Sequence, residues 1–156
     1  MYSNPYSRNA YSQASQNVSP MKAITMLYEG AIRLVLEAKK HHEEGDYEAR
    51  FKAVEKASRI ILGLQGQLDF ENGGEISPVL HQFYDNLFMR MMQINSRNPE
   101  DVIEDVLASL KQMKETWVEV GKKTEAVKET QGSSVGVKSQ DVAENNLSSG
   151  SSSLSV

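Results

Sequence analysis

The sequence predicts an all-α fold: an antiparallel up-down four-helix bundle between a flexible N-terminal leader and a disordered Ser/Gly-rich C-terminal tail. Three observations lead there. Apolar residues recur at 3-4 spacing in four successive runs, which puts each run on one face of a helix. Residues that start and stop helices separate the runs. There is no alternating Val/Ile/Thr-rich run of the kind that makes a half-buried strand.

The first helix opens at Ser19-Pro20, with Ser as N-cap and Pro at the first helical position, where its missing N–H costs nothing. Ile24, Leu27, Ala31, Leu34 and Ala38 form its stripe. His41 and His42 fall in its last turn and Gly45 stops it. Asp46 caps the second helix, whose stripe is Tyr47, Val54, Ala57, Ile61, Leu64 and Leu68; Arg50 is the one polar residue on that line. Asn72-Gly73-Gly74 is expected to end it. The third helix starts near Glu75, with Pro78 tolerable in its first turn. Its stripe is Ile76, Leu80, Phe83, Leu87, Met91 and Ile94. Asn98-Pro99-Glu100-Asp101 opens the fourth helix with a cap, a proline and an acidic first turn. Ile103, Val106, Leu110, Met113, Trp117 and Val120 follow.

Each helix is expected to run about 20–25 residues, or ~30–38 Å at ~1.5 Å per residue. The links are about two to five residues, short enough to force antiparallel neighbours. The predicted organisation is a leader at 1–17, a bundle at 18–127 and a tail at 128–156, with a short docking helix around Gln140 to Leu147.

Composition narrows the function. A net charge of −4 and the lack of any Lys/Arg run argue against nucleic acid as a partner. There is no cysteine, which removes disulfides and thiolate metal sites. No apolar run approaches ~18–20 residues, so membrane insertion is not expected, and the leader lacks a signal-peptide pattern. A soluble cytoplasmic protein is the expectation.

Catalytic and metal chemistry find no support. A di-iron bundle needs Glu-x-x-His pairs, but Ala38, Lys39 and Pro78 stand three residues before His41, His42 and His81. His41 and His42 suit the negative end of the helix dipole. His81, near Tyr84 and Asp85, is either a polar residue beside the core stripe or a surface phosphotransfer histidine. No phosphate loop, nucleophile elbow or zinc-protease motif occurs. The expectation is a protein with no enzymatic role, no cofactor and no metal.

The apolar inventory exceeds one core. Beyond the stripes stand Met21, Met26, Tyr28, Ile32, Val35 and Leu36, then Phe51, Ala53, Ile60 and Leu62, then Val79, Tyr84, Phe88, Met89 and Met92. A bundle helix buries a third position per heptad, which absorbs many of these. The rest would line grooves, and large bare apolar patches are rare on monomers. The run Phe88-Met89-Arg90-Met91-Met92 suits a groove for an amphipathic helix, because unbranched thioethers adapt to their partners. The same surplus face can instead be the seam of a homodimer in a self-associating structural bundle.

Several blocks resemble one known family. They are Asn4-Pro5-Tyr6, Ala10-Tyr11 and Val18-Ser19-Pro20, then Met26-Leu27-Tyr28-Glu29-Gly30-Ala31. Lys56-Ala57, Ile60-Ile61 and Leu64 follow, then Leu68-Asp69-Phe70-Glu71-Asn72-Gly73-Gly74-Glu75, Tyr84, Asn95 and Trp117. In order and spacing, from Asn4 to Val120, they are similar to the FliS family of flagellar secretion chaperones. The chain departs from that family at Ile94 and Asn86, and its Ser-rich tail matches nothing shared.

The resemblance implies a cytosolic chaperone. Such a protein binds the disordered C-terminal segment of flagellin, prevents its premature polymerisation and helps deliver it to the flagellar export gate. Candidate groove residues are Ile24, Tyr28, Ile32, Ile60, Leu64, Leu68, Phe88, Met89 and Met92. Tyr6 and Tyr11 in the leader are the candidates for covering that groove while no client is bound. A tyrosine offers an apolar ring to pack and a hydroxyl to leave wet, and family members carry similar leaders.

Overall fold

The computed structural model describes residues 19–148, with side-chain surroundings described as far as Gly132. Its elements are α1 (Pro20–Glu43), α2 (Tyr47–Gly66), α3 (Ile76–Gln93) and α4 (Glu100–Ser148). Among the described residues there is no strand. Two compact units divide the chain, one through Val118 and one from Glu119 on.

The helix starts follow from their caps. Ser19 Oγ accepts from the Lys22 amide at 3.3 Å, and Pro20 takes the first helical position. Asp46 Oδ1 accepts from the Ala49 amide at 3.1 Å. Gly45, with φ +74°, makes the sharp turn between α1 and α2 in a region that side chains with a Cβ avoid.

In the first unit, polar pairs show the helices to be antiparallel. Late in α1, Lys39 meets Glu104, early in α4, at 2.7 Å; earlier in α1, Glu29 meets Lys114, later in α4, at 3.5 Å. Gln65 at the end of α2 donates to Asp85 on α3 at 2.7 Å. Arg90, late in α3, pairs with Asp105, early in α4, at 2.7 Å. These exposed pairs add little stability, but they report register.

The core between the four helices is built from Val35, Val54, Ile61, Leu87, Met91, Ile94, Ile103, Val106 and Leu110, all essentially inaccessible. Within it the hydroxyls of Tyr28 and Tyr84 lie 2.6 Å apart, joining α1 to α3. One buried phenol donates to the other here, which offsets much of the penalty that either would carry alone.

The structure revises several sequence expectations. On α1 the expected stripe holds at Ala31, Leu34 and Ala38, but Leu27 is 37% exposed and Tyr28 is 0% exposed, with Tyr84 supplying the partner for Tyr28 inside. On α2 and α3, Tyr47 and Ile76 are exposed despite lying on the expected stripes. The second helix stops at Gly66, short of Asn72-Gly73-Gly74. The amides of Gln67 and Leu68 reach only three residues back, to Leu64 and Gln65. Asp69 Oδ1 then accepts from the amides of Glu71 and Asn72, both at 3.0 Å, a side-chain turn that competes with helix. The fourth helix extends to Ser148. Every described residue from Lys122 to Gly132 is exposed. The leader, with Tyr6 and Tyr11, lies outside the described residues.

Candidate functional site

The expected single groove resolves into two apolar surfaces in the first unit. The first is a pocket of 420 Å³ where the start of α1, the α2–α3 loop and the start of α3 converge. Ile24, Leu64, Leu68, Leu80, Tyr84 and Trp117 line it, with Ile76, exposed by 67%, at its edge.

The loop at the mouth of this pocket is held by its own polar groups. Ser77 Oγ donates to the Asp69 carbonyl at 2.7 Å, and Asn72 Nδ2 donates to Asp69 Oδ2 at 2.9 Å. A Cβ on Gly73 would run into Ser77 Oγ and the Asp69 carbonyl oxygen, so only glycine fits. Gly74 completes the turn at φ +54°. The Asn72 backbone amide and side chain, with the Glu71 amide, hold the Asp69 carboxyl below the usual carboxylate range.

The second surface is a groove of 230 Å³ between α2 and α3, lined by Phe51, Glu55, Ser58, Arg59, Leu62, Phe88, Met92 and Asn95. Phe51 and Leu62 are about half exposed. They lie eleven positions apart on α2, or ~16 Å at ~1.5 Å per residue, so the groove offers three turns to a partner helix.

The proposed groove residues divide between these places. Ile24, Leu64 and Leu68 come together in the end pocket, and Phe88 and Met92 in the α2–α3 groove. Ile32 and Ile60 are half-buried and packed on the core flank, lining neither surface. Met89 is exposed but outside both. Tyr28 needs correction as a groove wall: its hydrogen bond to Tyr84 draws it wholly into the core. Burial, then the bond to Tyr84, pushes the Tyr28 hydroxyl's pKa far up, with the nearby Trp117 indole pulling weakly the other way. Trp117 Nε1 itself is buried with no partner at hydrogen-bond geometry.

The groove candidates did not include Phe51, Leu62, Leu80 and Trp117. Phe51 and Leu62 stood out as surplus apolar residues, which was the available signal. Leu80 and Trp117 sat on core stripes, and each is partly buried against the core while also lining the pocket.

Two of the histidines, His81 and His42, are held by neighbouring side chains. Gln65 Nε2 lies 2.9 Å from His81 Nδ1 and donates to the His81 carbonyl at 3.1 Å, and Phe70 meets the ring edge-on at 5.7 Å. His42 lies between Arg50 and Glu100. Among the described residues no three His, Asp or Glu side chains form a metal-binding group, and no helix is long and apolar enough to cross a membrane.

Comparison with known proteins places this geometry. The profile of the family described as "Flagellar protein FliS" matches residues 2–124, leader included. The chain is 36% identical over 119 residues to a protein of Salmonella typhimurium named flagellar secretion chaperone FliS, covering 76% of this chain and 88% of that one. Its counterpart of the same name in Campylobacter jejuni is 37% identical over 113 residues, covering 72% and 88%. The one in Bacillus subtilis is 29% identical over 115 residues, covering 73% and 84%. By these matches and by its four helices, the chain belongs to the FliS family of flagellar proteins.

Proposed function

We propose that this protein is a cytoplasmic flagellar export chaperone. It binds the disordered C-terminal segment of flagellin, keeps it from polymerising early and presents it to a component of the export gate. The observation that carries this reading is the apolar α2–α3 groove, left open on a bundle whose core is already closed. A client segment that folds as an amphipathic helix fits such a groove. Its own apolar face, which would otherwise pack against other subunits, is then occupied.

Covering ~1,000 Å² of apolar surface is worth about 25 kcal/mol at ~25 cal/mol/Å². Ordering a disordered segment and immobilising it offset much of that. The net is tight but reversible binding, driven by apolar contact and only weakly sensitive to salt. No nucleotide is needed, since release follows from handover to another binder.

The leader joins the bundle at Ser19, and Ile24, just after it, lines the end pocket. In this reading Tyr6 and Tyr11 of the leader cover the client surface while no client is bound. Calorimetric titration of the full chain with the flagellin C-terminal segment tests the chaperone reading, and no binding at tens of micromolar overturns it. Removing residues 1–16 tests the cover: lower stability and a changed client affinity are expected, and no change in either refutes it. The same exposed face can also join two copies of the chain. Sedimentation across a concentration range decides, since a tight dimer that survives added flagellin segment would favour self-association.

A further inference from the structure

At the opposite end of the bundle, near the α1–α2 and α3–α4 turns, lies a cavity of 290 Å³ lined by Tyr47, Arg50, Asn95, Ser96 and Arg97. Its chemistry differs from that of the apolar surfaces. Arg50 is only 7% exposed, yet among the described residues it makes no ion pair. Its Nη1 lies 2.8 Å from His42 Nδ1 and donates to the Ser96 carbonyl at 3.0 Å. Its Nε has no partner. Because His42 Nδ1 accepts from a cation, its proton sits on Nε2, which donates to Glu100 Oε1 at 3.1 Å. Glu100 therefore reaches Arg50 only through a neutral ring. The Tyr47 ring faces the guanidinium at 4.8 Å.

A buried cation without an anion is costly, and folded proteins normally pair it. Here the unpaired guanidinium lines a cavity, with a second, exposed arginine, Arg97, at the rim. Asn95 lines both this cavity and the α2–α3 groove, so the apolar groove runs into the basic cavity.

We propose that this cavity binds a carboxylate carried by the segment that lies in the α2–α3 groove, which makes Arg50 and Arg97 determinants of client register. A guanidinium fork matches a carboxylate, and nearby Glu100 disfavours a doubly charged anion. The carboxylate is either the client's chain terminus or an Asp or Glu side chain. The inference rests on the chaperone reading above.

The test titrates the full chain with the flagellin C-terminal segment in three forms: unchanged, amidated at its C-terminus, and with its Asp and Glu changed to Asn and Gln. One of the two altered forms is expected to bind about tenfold more weakly, and which one names the source. Arg97→Gln, on an exposed side chain that folding does not need, should weaken the unchanged form about fivefold and leave that altered form unaffected. The Arg50 Nε–Hε resonance should move with the unchanged form and stay put with the neutralised one. Equal binding of all three forms, or an Arg50 resonance indifferent to the carboxylate, overturns this proposal and leaves the chaperone reading standing. No binding of the unchanged segment overturns both.

Discussion

The Tyr28–Tyr84 pair gives the sharpest prediction about the core. Tyr28 is 0% and Tyr84 2% exposed, and their hydroxyls are 2.6 Å apart. Changing either one to Phe leaves the other hydroxyl buried and unpaired, which costs about 1–3 kcal/mol. Changing both removes the donor and the acceptor together, and leaves the Trp117 indole N–H as the polar group still buried beside them. Tyr28→Phe and Tyr84→Phe should therefore each lower stability by about 1–3 kcal/mol, a drop in Tm of about 4–8 °C per kcal/mol for a bundle of this size. The double variant should cost clearly less than the sum, with a coupling of about 1–2 kcal/mol. Urea unfolding, followed through the fluorescence of the single tryptophan, Trp117, completes the cycle. Strictly additive losses would refute the pairing and leave two independent packing contributions.

Further tests probe other layers. Burial raises both phenols' pKa values above 10.0, so above pH ~10 the unfolded chain releases protons that the folded one keeps. Stability should fall as pH rises past that point, and the fall should be smaller in the double Phe variant; an identical alkaline slope contradicts this. Leu87→Ala, at a position with 0% exposure, should cost about 2–5 kcal/mol by denaturant unfolding. Phe51→Ser and Leu62→Ser, on exposed side chains, should leave stability within about 0.5 kcal/mol. They should also lower flagellin-segment affinity about tenfold or more, read by calorimetry.

Local chemistry was legible in the sequence, and the reach of side chains was not. Ser19, Asp46 and Gly45 announced their turns because capping depends on residues three or four apart. The end of α2 was misjudged because Leu68 continues the apolar spacing; the Asp69 turn breaks the helix first and still delivers Leu68 to the core flank. On α1 two apolar lines compete, one through Leu27 and one through Tyr28. What decides between them is a hydroxyl on α3, distant in sequence. Arg50 stood out as the polar break in a stripe, but its partners, His42 and Ser96, come from two other segments. The groove was anticipated as one surface because helical spacing reports which face is apolar. It does not report which neighbour covers that face.

The self-bonded loop from Asp69 to Ser77 has a kinetic consequence. Its shape is held by the Asp69 carboxylate, the Ser77 hydroxyl and a glycine with no room for a side chain, so this wall of the pocket is formed before anything enters it. An occupant can leave without the wall having to refold behind it. For any occupant, residence time would then be set by the contacts the occupant itself makes.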